Sequence, residues 1–182
     1  MRRQHIPQRT PIFLGCEGAS EHGYGALLNR FARELPGVHI HIHVETLQPG
    51  AGDPLALVQR AIQRITELKR RREAFAVKAI LLDRGQDGKG RAAEDLARKS
   101  GIDHLVWQEP DHEGFLLRHF PGCGQLRPPA GSSFNALRQR WPDYEKASTQ
   151  VQLARHISMA QITAVCDVEP DLRAFLRALG IV

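Results

Sequence analysis

Apolar residues recur along this chain at two periods that take turns. Ile12-Phe-Leu-Gly-Cys16 is a short unbroken apolar run of the length a buried strand needs. Leu27, Leu28, Phe31 and Leu35 follow at the spacing of one helix face, with Ser20 as the expected N-cap and Pro36-Gly37 as the stop. Val38-His-Ile-His-Ile-His-Val44 then alternates strictly and predicts a strand. Asp53-Pro54 is an expected cap and first turn for a helix carrying Leu57, Val58, Ala61, Ile62, Ile65 and Leu68. Val77 to Leu82, apolar except for Lys78, predicts a third strand; Arg91 to Lys99 a helix closed by Gly101; and Ile102 to Trp107 a fourth strand.

Strands that alternate with helices over 107 residues imply an α/β sandwich with a largely parallel sheet. Residues 1–10 are expected to form a flexible arm, 11–120 the α/β domain, and 121–182 a mainly helical C-terminal extension packed on it. Asp111 to Phe120 predicts a helix with acid at its start, and Glu169 to Leu179 an amphipathic last helix.

Acidic residues fall where such a sheet binds ligands, just past the carboxyl ends of strands. Glu17 follows the first strand, with Glu21 one turn later. Asp83 ends the third strand, and Asp87 follows within four residues. Glu113 opens a later helix. If the strands bearing Glu17 and Asp83 are neighbours, Glu17, Asp83 and Asp87 are candidate ligands of Mg²⁺ or Mn²⁺, which take oxygen donors and keep several waters. The competing reading is that these acids only cap helices and meet their positive ends.

Charge modifies this picture. The formal net charge of +5 is concentrated at Lys69-Arg-Arg-Arg72 and at Arg118, Arg127, Arg138 and Arg140. These are candidate phosphate contacts, or else solvated helix ends. His39, His41 and His43 share one strand face but are spaced nearly 7 Å apart, which favours a polar face over a metal site. Cys16, Cys123 and Cys166, odd in number and scattered, are expected to be reduced and inert. No run approaches the roughly 18 apolar residues a membrane span needs, and the basic start lacks a secretory apolar region. The cytoplasm is the expected compartment.

The blocks Cys16-Glu-Gly-x-Ser-Glu21-x-x-Tyr24, Gly52-Asp-Pro-Leu-x-Leu-Val58, Leu82-Asp83-Arg84 and Glu113-Gly-Phe-Leu-Leu-x-His119-Phe120 occur in order. Together they resemble the RloB-like protein family, and Tyr144-Glu-Lys146 extends the likeness loosely into the tail. The resemblance implies a Toprim-like fold related to OLD-type nucleases, with Glu17 and Asp83 associated with metal and Glu21 added by analogy. It also implies a role in bacterial anti-phage or restriction-linked defence beside an ATPase or restriction-system partner. The chain departs from the pattern at Gly85, where a second Asp is usual; at Gly25, in place of an aromatic; and at His112, in place of Phe.

The function expected from this is a Mg²⁺- or Mn²⁺-dependent nuclease acting on RNA, tRNA included, or on DNA. Glu17, Glu21, Asp83 and Glu113 are its catalytic candidates. The alternative is a catalytically silent Toprim-like module that binds or regulates a partner subunit. A small-molecule phosphotransfer or hydrolase enzyme on the same sheet is a third reading, without a P-loop or nucleophile-elbow motif behind it.

Overall fold

The computed structural model describes residues 8–48, 52–70, 74–84 and 88–182. Its centre is a four-stranded, all-parallel sheet of β1 (Thr10–Cys16), β2 (Ile40–Thr46), β3 (Val77–Asp83) and β4 (His104–Gln108), in the order β2-β1-β3-β4. The chain leaves β1 for β2 on one side and returns to place β3 on the other. The topological switch therefore falls between β1 and β3, where open sheets of this order bind ligands.

Side-chain alternation divides the core. Ile12, Leu14, Ala79, Leu81 and Val106 face α1 (Ala19–Glu34) and the C-terminal helices. Phe13, Ile80, Leu82 and Trp107 face α2 (Pro54–Lys69) and α3 (Gly90–Lys99). Both faces are covered, as a parallel sheet requires.

The first face is completed by α4 (His112–Leu117), α5 (Ser133–Arg140), α6 (Gln150–Leu153), α7 (Met159–Val165) and α8 (Pro170–Ala178). Leu137, Tyr144, Ile162, Leu172 and Phe175 join β1 in one apolar cluster, so the tail contributes to the sheet's own core. Buried Arg118 ties it down: its guanidinium bonds the Glu169 carboxylate and donates to the Glu109 carbonyl at 2.6 Å and the Gly114 carbonyl at 3.0 Å.

Gly25 lets α1 lie close to the sheet, since a Cβ there would stand 2.9 Å from Val44 Cγ1. The open edge of β2 is blunted against strand addition. Asn29 Oδ1 accepts the Ile42 N–H at 2.9 Å, and Arg9 donates to the Ile40 carbonyl at 3.2 Å.

Four local expectations need correction. Ser20 does not cap α1. The helix starts two residues earlier, at Ala19 behind Gly18, whose N–H donates to Glu21 Oε2 at 3.0 Å, and the Ser20 hydroxyl accepts from Ala147 N instead. Thr10 belongs to β1 and Arg9 is bonded to β2, so the expected arm does not extend through residues 8–10; residues 1–7 lie outside the described residues. The strand expected from Val38 begins at Ile40, after the Pro36-Gly37 turn, and continues to Thr46. Arg118 is no surface phosphate contact, because its ion pair with Glu169 is buried. Among the described residues, no helix is long and apolar enough to cross a membrane.

Candidate functional site

Asp83 shares the parity of Ala79 and Leu81 on β3, so its carboxyl leans toward α1 and α4 rather than α2. There it meets the acids that those elements carry. Glu21 tops the inward stripe of α1 that continues through Tyr24 and Leu28, and is only 6% exposed. Asp111 caps α4 by accepting from Gly114 N at 2.9 Å, and Glu113, 7% exposed, sits in the first turn. Glu17 closes the group from β1: its Oε2 accepts the Asp83 N–H at 3.0 Å and its Oε1 the Gly52 N–H at 2.7 Å.

Glu17, Glu21, Asp83 and Glu113, from separate parts of the sequence, thus converge at the switch point, and Asp111 joins them. Asp87 lies outside the described residues. Burial, then the charges of Glu17, Glu21, Asp111 and Glu113, push the Asp83 carboxyl up from its ordinary 3.8 to about 8. Its Oδ1 is buried with no hydrogen-bond partner. At neutral pH, Asp83 therefore holds a proton that a cation would displace.

Carboxylate oxygens are the donors a hard divalent cation takes, and one of them, Asp83 Oδ1, has no partner here. Each Glu17 oxygen accepts a backbone N–H but keeps a second lone pair. Among the described residues, no three His, Cys, Asp or Glu side chains already stand close enough to hold an ion, so the carboxylates would have to draw in around one.

A polar layer that the sequence only partly signalled supports the acids. Gln108 is paired in register with Asp83 and fully buried. Its side-chain amide lies 3.0 Å from His112 Nδ1, and that same nitrogen is 3.8 Å from Glu21 Oε1. His112 is 2% exposed, with Nε2 buried and unpartnered. His112, although in the first turn of α4, is therefore an interior residue. Buried Tyr144 donates to Glu113 Oε1 at 3.3 Å, while Lys146 Nζ lies 3.9 Å from the same oxygen. Burial, then the Glu113 charge, raise the Tyr144 phenol well above its ordinary range, so it stays a donor. A cleft of about 400 Å³ opens beside this pair, between Phe134 and Arg138.

His119 has a structural role. Its Nδ1 donates to the Phe115 carbonyl at 3.1 Å and its Nε2 accepts from Tyr24 OH at 2.9 Å, while burial lowers its pKa to about 3. Neutral and saturated, it locks α1 to α4. Cys16, Cys123 and Cys166 are free and buried, and burial pushes the Cys16 and Cys166 thiols up. His43 is 3.1 Å from Glu45 and stacks on Phe75, consistent with the polar-face reading of that strand.

The basic cluster that opens at Lys69 is far from the acids. Gly52 and Asp53, just before α2, stand beside Glu17, and α2 then runs back to the start of β3. Lys69 and Arg70 lie at its far end, about 24 Å of helix from the site. Arg71 and Arg72 lie outside the described residues. The cations near the acids are Lys146, Lys89, paired with Asp53 at 2.6 Å, and Arg84, paired with Glu109 at 2.8 Å.

Comparison with known proteins found no matching family model, no matching curated protein and no matching solved structure.

Proposed function

We propose that the chain is a Mg²⁺- or Mn²⁺-dependent phosphodiesterase, a nuclease of RNA or DNA, built on a Toprim-like sheet. The observation that carries this reading is the gathering of four other carboxylates around a half-buried Asp83 that is pushed up to about 8 and lacks a partner for its buried Oδ1. A fold does not keep such an arrangement for stability, because each like charge added to it is unfavourable. A divalent cation bound there supplies charge neutralisation, a polarised phosphodiester and a water of lowered pKa.

The protein's own groups have distinct tasks. Asp83, once deprotonated, would hold the cation as a carboxylate, while Glu17 keeps the β1–β3 edge closed through the Asp83 and Gly52 N–H groups. Glu21 is fixed by the Gly18 N–H on one oxygen and faces His112 with the other. Tyr144 orients Glu113, leaving it the group best placed to accept a proton from an attacking water.

The RloB-like resemblance supports placement in a bacterial defence locus with an ATPase or restriction-system partner. One observation favours the silent-module reading: both Glu17 oxygens already accept backbone N–H groups, as in a purely structural carboxylate.

The deciding experiment incubates purified protein with labelled single-stranded DNA, duplex DNA and total tRNA, in Mg²⁺, Mn²⁺ or EDTA. Cleavage that needs the cation and disappears in both Glu17→Gln and Asp83→Asn is expected. Binding without cleavage in any metal favours the silent module.

A further inference from the structure

A nuclease with an acidic centre must hold its polyanionic substrate with cations; Lys69 and Arg70 lie at the far end of α2, Arg118 is buried, and Arg138 and Lys146 line only the small cleft beside Tyr144. We propose that the groove between α1 and the open edge of β2 is the track along which a single-stranded nucleic acid is led to the carboxylates. The inference rests on the nuclease reading for its destination, but the binding itself does not require chemistry.

The groove encloses about 860 Å³, more than twice the cleft beside Phe134. Its mouth lies between Ala19 and Thr46, at the carboxyl end of the sheet and within one turn of Glu17 and Glu21. From there it follows one face of α1, on which His22, Arg30 and Arg33 succeed one another at helical spacing. Arg30 and Arg33, the cations of this face, lie about 14 and 18 Å of helix from Glu21. Ala26 leaves the floor low, and Gly23 is packed under the Ser148 carbonyl. Glu34, at the far end, is the one acid among the lining residues, and Arg30 pairs with it at 3.1 Å.

The shape and edge chemistry select the occupant. A volume of about 860 Å³ is that of a cleft for a small ligand or a short segment of chain. An extended peptide would enter by adding a strand to β2, but Asn29 already occupies the Ile42 N–H and Arg9 the Ile40 carbonyl. What remains is a flexible polyanion that needs cations and small hydrogen-bonding groups such as those of Thr149 and Gln150, rather than a sheet edge.

The test is fluorescence anisotropy with a labelled single strand of about 12 nucleotides, in EDTA and across a salt series, on the Asp83→Asn background so that nothing is cut. Arg30→Glu/Arg33→Glu should weaken binding about tenfold or more, and should flatten the slope of log affinity against log salt by about 1.4, roughly 0.7 for each lost phosphate contact. Lys69→Glu/Arg70→Glu, at the other end of the molecule, should leave binding within about twofold. Arg33→Gln guards against a folding artefact and should give an intermediate loss. Failure of the unsubstituted protein to bind, indifference to Arg30 and Arg33, or equal competition by duplex would each overturn the track. Cation-dependent cleavage that survives an indifferent groove would leave the nuclease reading standing. Groove-dependent binding, together with no cleavage by the wild type in Mg²⁺ or Mn²⁺, would instead refute that reading and keep the track.

Discussion

Replacing Asp83 by Asn should stabilise this protein, and the gain should depend on pH. In the folded chain the carboxyl is pushed up to about 8, whereas in the unfolded chain it returns to 3.8. Between these values the native state holds a proton that the unfolded state releases, so stability falls as pH rises from about 4 to about 8 and then levels off. At pH 7 the carboxyl costs about 4 kcal/mol, at pH 4 less than about 1 kcal/mol. An asparagine has no proton to lose, and its amide can donate to Glu17 or Glu21. Urea titrations of both proteins at pH 4, 7 and 9 would measure the difference. A gain of about 4 kcal/mol at pH 7 displaces the midpoint by roughly 2 M urea at an m of about 2 kcal/mol/M. A difference that is constant with pH, or a variant less stable than the wild type at pH 7, would refute the proposed crowding of carboxylates around Asp83.

Other consequences can be measured with the same protein. Saturating Mn²⁺ at about 100 times its dissociation constant should raise wild-type stability at pH 8 by about 2.7 kcal/mol and leave Asp83→Asn unchanged in thermal melts. Arg118→Ala should cost about 3–5 kcal/mol in urea unfolding, because it leaves buried Glu169 with only the longer, more exposed contact to Arg127. Tyr24→Phe should cost about 1–2 kcal/mol by removing the donor to His119 Nε2, measured in the same way. Gly23→Ala should also be destabilising, by about 1–3 kcal/mol, since its Cβ would fall 2.0 Å from the Ser148 carbonyl oxygen.

Periodicity made the sheet legible. The strict alternation before Val44, the unbroken run at Ile12 and the run from Val77, broken only by Lys78, each correspond to a strand of the parallel sheet. The site was legible as far as it depended on strand ends. Glu17 and Asp83 meet because β1 and β3 are neighbours, and Glu21 and Glu113 because the following helices start at that same edge. What escaped the sequence depends on which helix covers which face. His112 and Arg118 belong to a six-residue helix and its cap, a segment too short to show which side is inward. Gln108 was missed because a polar residue at a strand end carries no pattern of its own, and Tyr144 because its partner Glu113 lies 31 positions away. The basic run at Lys69 advertised charge but not location, which follows only from the direction in which α2 runs.

The central claim is that the carboxylates at the β1–β3 switch hold a divalent cation. Calorimetric titration of Mn²⁺ into wild type and Asp83→Asn at pH 8 tests it most directly. The account predicts saturable binding by the wild type and its loss in the variant, even though the variant is the more stable fold. Equal binding by both, or none by the wild type, would contradict it.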